Sequence, residues 1–347
     1  MLIGRVSVSG NRPPGKDVDN DLPRRPRSND AKTDREARIG DGRNDENLII
    51  AQLHVAFLRA HNALVKKGKT FDEANKLLRQ HFQWIVIHDY LKRIADPQIV
   101  NDILYGGNRV YNPHSADIYM PLEFSVAAFR FGHSMVRSTY RHNVNFTNAT
   151  LSQIFKLTAS RGNINPDRGI GFDTVPENWI IQWENFLDGG KNMARRIDTH
   201  LVDPLSSLPN EIGQPMPDGA NLAVRNLLRG YLLRIPTGQA VANALGLPVM
   251  SAKQIEAAAA SDKQAKVLRD TGLSSRTPLW YYILAESASY LPDYLGPVGS
   301  TIVAEVLIGL VRRSEDSILN RGGWAPSLGP TRGRFSLRDL LRLAGVL

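Results

Sequence analysis

The stretch AAFRFGHSMV, residues 127–136, sets His133 directly after Gly132 and three residues after Arg130. A titratable ring among apolar neighbours needs partners for two nitrogens. On this stretch alone the ordinary reading is a core histidine bonded to a backbone carbonyl. A second stretch, NLAVRNLLRGYLLRIPTG (221–238), sets Asn226 and Arg229 three apart among leucines. A third, IGDGRNDENLIIAQLHVAFLRAHN (39–62), places Arg43 and Glu46 at the mouth of a long helix. A histidine, an asparagine and several arginines against apolar faces are costly to bury unless something flat and anionic lies between them. Haem fits that description: an apolar disc, an iron that takes an imidazole, and two carboxylates that take arginines.

The elements that must position these residues are helices. Apolar residues recur at helical spacing from Glu46 to Lys66. Thr70-Phe71-Asp72-Glu73 is a capping box opening a helix that runs to about Ala95, before Pro97. Further helices are predicted at about 121–138, 150–158, 178–186, 190–201, 221–232, 237–244, 251–260, 278–291, 299–319 and 335–345, with Pro- and Gly-rich loops such as Ser206–Gly219 between them. Strand-type alternation is almost missing and no internal repeat is present. The fold class is therefore mainly α: one helical domain over residues 41–347, preceded by an extended arm at 1–40 rich in Gly, Pro, Asp, Asn and Arg.

Composition narrows the function. The chain of 347 residues is 42% apolar and 22% charged, within the range of soluble globular proteins. Its net charge of +9 is scattered, without a zinc-finger, RRM or helix-turn-helix pattern, so a nucleic-acid partner is not expected. No cysteine is present, which removes disulfides, thiolate metal sites and a cysteine nucleophile. The first residues lack signal-peptide architecture, and the apolar run Ile302–Val311 is too short to span a bilayer. A soluble protein is expected, with its compartment open. DVDND at 17–21 imitates the start of a calcium loop, but Leu22 replaces the glycine and Ser28 the closing glutamate. Walker, GxGxxG, HExxH and GxSxG signatures are missing. His81 and His88 lack a third ligand at metal spacing and read as surface or boundary residues, while His54 and His61 read as helix-packing residues.

Several motifs together resemble the animal-type haem peroxidases, especially their bacterial branch. GDGRNDENLIIAQLHVAFLRAHN is similar to that family's distal arginine segment, and FRFGH to its proximal histidine helix. RNLLRGYLLRIPTGQ resembles its asparagine-bearing segment, and TPLWYYILAESA with LGPVGSTIVAEVLIGLV its C-terminal helix pair. The resemblance runs from about residue 20 to the end. It implies a peroxidase that binds haem b, reduces hydrogen peroxide by two electrons, and oxidises a halide or small organic donor.

The same resemblance implies roles. His133 would be the axial iron ligand through Nε2, with Asn226 accepting a hydrogen bond from its Nδ1–H. Gly132 would let the backbone approach the porphyrin. Arg130 and Arg229 would pair with the propionates. Arg43 would polarise the peroxide, and Glu46 would stand where some members esterify a haem methyl. Many members are extracellular. The family's distal histidine, beside a calcium-binding aspartate, precedes the arginine, yet no histidine precedes His54 in this chain. The chain as written is thus expected to lack a distal base and calcium site, and to be slow. The alternative is a non-catalytic all-α haem-binding or interaction protein derived from a peroxidase.

Overall fold

A computed structural model describes residues 1–30, 33–113, 117–158, 173–208, 221–290, 293–320 and 322–347. The loop expected at Ser206–Gly219 lies almost entirely outside them. The helices run α1 Leu48–Lys66, α2 Phe71–Ile85, α3 Leu91–Ile94, α4 Pro97–Gly106, α5 Leu151–Lys156, α6 Leu222–Leu232, α7 Gly238–Ala244, α8 Ala252–Ala257, α9 Asp262–Asp270, α10 Leu279–Tyr290, α11 Pro297–Arg313 and α12 Leu337–Leu343. One two-stranded antiparallel ladder, β1 Thr139–Tyr140 with β2 Ala149–Thr150, accompanies them. The mainly α expectation holds.

Local chemistry explains most boundaries. Asn47 caps α1 by accepting from the Ile50 N–H, and Thr70 with Glu73 forms the expected capping box of α2. Each such cap stabilises its helix by about 1 kcal/mol. A π turn at Val86–Tyr90 links α2 to α3, so the helical run reaches Ile94 as expected, though not as one regular helix. Two expectations fail here. Residues 178–186 hold single 3-10 turns at Glu177–Trp179 and Trp183–Asn185, and residues 190–201 form no helix. Two helices were also missed. Pro97 reads as a helix stop, yet behind the Asp96 cap it occupies the first turn of α4, where a missing N–H costs nothing. Ser261 caps α9 in the same manner.

Helix α10 is the platform of the fold. Every residue from Leu279 to Ser287 is buried, as in a helix surrounded on all sides. It packs against α6, α7, α8, α11 and the turn that carries His133. Close approach needs small residues: a Cβ on Gly238 would stand 2.0 Å from Cγ of Tyr282. A second core lies between α1, α2 and α12, filled by Ala56, Ala60, Leu64, Leu340 and Leu341. By length and composition α1 could cross a membrane, but here its small residues line that core.

The arm at 1–40 lies along the domain. Gly4 bridges Asp21, Ser7 bridges Pro176, and Leu22 is fully buried. Arg24 ties the arm down through Asp21 (Nε–Oδ2 2.9 Å) and Asp45 (Nη1–Oδ2 2.7 Å), all three side chains being at most 5% exposed. His81 corrects an expectation. It is fully buried: Nδ1–H donates to the Leu77 carbonyl, and Nε2 accepts from the Ser327 and Leu328 N–H groups. It joins α2 to the C-terminal segment and is no surface residue.

Candidate functional site

The segment Leu122–Ser134 is irregular helix. A π turn at Glu123–Ala127 is followed by a 3-10 stretch, Ala128–His133, in place of the regular helix expected over 121–138. Widened turns of this kind often mark functional sites. Arg130 folds back so that its Nε–H donates to the Ser125 carbonyl of that π turn at 3.2 Å. From α10, the Trp280 indole N–H donates to the Arg130 carbonyl at 3.1 Å. Trp280 is buried and was not singled out from sequence, where it is one aromatic in the apolar run LWYYIL. Its neutral hydrogen bond stabilises the turn by about 1 kcal/mol.

The structure brings His133, Arg130 and Asn226 together. Asn226, 1% exposed on α6, puts its amide between the other two. Its Nδ2 lies 2.8 Å from His133 Nδ1, and its Oδ1 accepts from Arg130 Nη1 at 2.8 Å. This is the reverse of the orientation expected, in which the amide oxygen faces the ring. The reason is Arg130: a guanidinium can only donate, so the amide end that meets it must be oxygen. The NH2 then faces Nδ1, which accepts.

Burial, then the Arg130 charge, push the His133 pKa down to about 4. Burial, then Arg229, lower the pKa of Arg130. Arg130 stands near the imidazole and Arg229 near Arg130, and among the described residues neither guanidinium pairs with a carboxylate. His133 Nε2 makes no hydrogen bond among them either. The space where Gly132 would carry a Cβ is open for 4 Å. Beyond Asn226, α6 leaves Leu228, Arg229, Tyr231 and Leu232 exposed.

Arg43 and Glu46 stand just ahead of α1. Both are exposed, in the 3-10 turn Gly42–Asp45 and at its C-cap. The Arg43 guanidinium pairs with Asp41 (Nη2–Oδ2 2.6 Å), which raises its pKa. Asp45, between them in sequence, is the buried partner of Arg24. His54 Nδ1 meets the Asn44 amide at 3.1 Å, and His61 Nε2 the Phe71 carbonyl at 3.2 Å. In the acidic DVDND stretch, Asp17 pairs with Arg59 and Asp19 with Arg5.

Comparison with known proteins identifies the family. Residues 4–271 match the family model described as animal haem peroxidase. Peroxinectin A of Dictyostelium discoideum is 26% identical over 258 residues, covering 70% of this chain and 43% of that protein. Thyroid peroxidase of Mus musculus is 33% identical over 125 residues, 32% of this chain and 13% of that one. The solved structure of peroxidase A from Dictyostelium discoideum superposes with a TM-score of 0.55 at 22% identity. It covers 91% of this chain and 58% of that one. The chain thus spans less than half the length of these curated relatives, and the likeness to the solved structure is one of fold. With the family model spanning most of its length, the chain belongs to the animal haem peroxidase family.

Proposed function

We propose that this chain holds haem b through His133 and works as a peroxidase, reducing hydrogen peroxide while oxidising a halide or small organic donor. One observation carries the reading: residues from two distant segments converge as an imidazole, an amide and a guanidinium, with a second guanidinium near the first and no carboxylate paired with either among the described residues. That donor set is complementary to a flat metal centre with two carboxylate tails. The open space beside Gly132 suits a disc laid against backbone. The group fits.

Bound haem supplies the redox chemistry that takes oxidising equivalents from peroxide and passes them to a donor. The chain supplies the rest. His133 offers a neutral ring, because a pKa near 4 leaves it unprotonated at pH 7. Asn226 sets the orientation of that ring through Nδ1. Arg130 and Arg229 are the partners for carboxylates, where planar guanidinium pairing is strongest. Arg43 is the residue for the peroxide: its charge stabilises the departing oxygen. To act there it must leave Asp41, and an exposed surface pair of this kind is weak. Glu46, three residues on, is the candidate for an ester to haem. Haemin titrated into the purified chain should give a Soret band saturating at one equivalent. No Soret band would favour the interaction-protein alternative.

A further inference from the structure

The three residues that meet at Asn226 have a logic that depends on donor and acceptor counts, and it rests on the haem reading given above. Arg130 donates to Oδ1 of Asn226 at 2.8 Å, so Nδ2 must face His133 Nδ1, also at 2.8 Å. Nδ1 is therefore an acceptor and carries no proton. A neutral imidazole has one N–H, so that proton sits on Nε2. An Nε2 that carries a proton has no lone pair for a metal, and Nδ1 is covered by the amide. The ring stands in the tautomer that cannot ligate. Ligation through Nε2 needs the opposite arrangement, with Oδ1 facing an Nδ1–H. The amide would then have to turn by half a rotation, which would aim its NH2 at the Arg130 guanidinium, donor against donor. Arg130 must leave first.

We infer that Arg130 is a latch: it holds His133 in the non-ligating tautomer through Asn226 until a carboxylate of the incoming porphyrin draws it away. The latch has a reason to release. Arg130 is part-buried beside a second guanidinium, Arg229, and among the described residues it holds two neutral oxygens, the Ser125 carbonyl and the Asn226 amide. A carboxylate offers it a charge-assisted bond in place of a neutral one, roughly twice as strong. Once Arg130 turns, Asn226 is free to rotate. Nε2 gives its proton to water and Nδ1 takes one from water. The ring is neutral before and after the exchange, and no net proton is gained. Recognition of the carboxylate tails and readiness of the iron ligand are thus one event, which selects porphyrins with free carboxylates over their neutral relatives.

The test reads the tautomer directly and uses no metal. In the unloaded chain labelled with ¹⁵N-histidine, the His133 resonance, identified by its loss in His133→Gln, should show Nε2–H. Metal-free protoporphyrin should convert it to Nδ1–H, and metal-free protoporphyrin dimethyl ester should not. In Asn226→Asp the new carboxylate can only accept, so Nδ1–H should be present before any porphyrin is added. In Arg130→Met, Oδ1 is released and the Nε2–H form should lose its dominance. An Nδ1–H ring in the unloaded wild type would overturn the latch. So would conversion by the dimethyl ester, or an Nε2–H form untouched in both variants. Should Arg130→Met fail to fold, Asn226→Asp decides alone. Failure of the haem reading looks different: no Soret band with haemin and no porphyrin response, which overturns the coupling while the unloaded tautomer stays as described.

Discussion

At the scale of the residue, the site is a question of which atoms donate and which accept. His133 is reachable, Asn226 is buried against it, and Arg130 decides how the amide points. The competing histidines already have partners of their own. His54 leans on Asn44, and His81 is tied by three backbone groups. His133→Ala should therefore abolish stoichiometric haemin binding, while His54→Ala should keep it. Equal loss in both variants would mean that folding, and no axial bond, was measured.

Among the elements, the junction between α10 and α11 carries a titratable device. Glu286 is 5% exposed and its Oε2 accepts from the Val298 and Gly299 N–H groups at the start of α11. Burial pushes its pKa up to about 7, against the pull of those two donors. The sign follows from linkage. The unfolded chain ionises this carboxyl near its ordinary 4.5, and the folded chain only near 7. Stability is then full below the lower value and falls as pH rises toward the upper one, by about 3 kcal/mol at most. Glu286→Gln cannot ionise and should lack this loss. Urea unfolding at pH 5 and pH 8 measures it, and identical pH dependence in variant and wild type would sink the idea.

For the whole molecule, the arm and the Arg43 turn are joined through a buried charge triad. Arg24 reaches Asp21 of the arm and Asp45 of the turn, and Asp21 also accepts from the Val175 N–H. Arg24→Met would strand two buried carboxylates, and such a break costs about 3–5 kcal/mol. A urea midpoint unmoved by the substitution would show the triad to be dispensable. The proposed peroxidase activity is also tested at this scale. Within these residues no histidine precedes His54, and Arg43 rests on Asp41. Peroxidase turnover by these 347 residues should be slow. A longer chain, extended upstream by a segment bearing a distal histidine, should gain about 10²–10⁴-fold, the usual contribution of a positioned acid–base group. Equal, fast turnover by both would overturn this account.

Local rules reached far in this protein. Helical spacing and caps placed α1, α2, α6, α7, α8 and α12, because those helices carry a capping residue within their own sequence. The FRFGH and RNLLRG stretches picked out the three residues that meet, through residue type and spacing. What the sequence could not decide was set by partners distant in the chain. Residues 178–186 and 190–201 have helix-compatible composition, but their backbone bonds go elsewhere: the Ile181 N–H donates to Gln52, the Trp179 carbonyl accepts from His142, and the Arg195 N–H donates to the Met135 carbonyl. Glu123–His133 reads as regular helix, yet Trp280 and Asn226 hold it unwound. The amide of Asn226 could face either way until Arg130 arrived beside it. Motif spacing names the residues that meet, whereas the direction of each hydrogen bond depends on a third group that only the tertiary fold brings near.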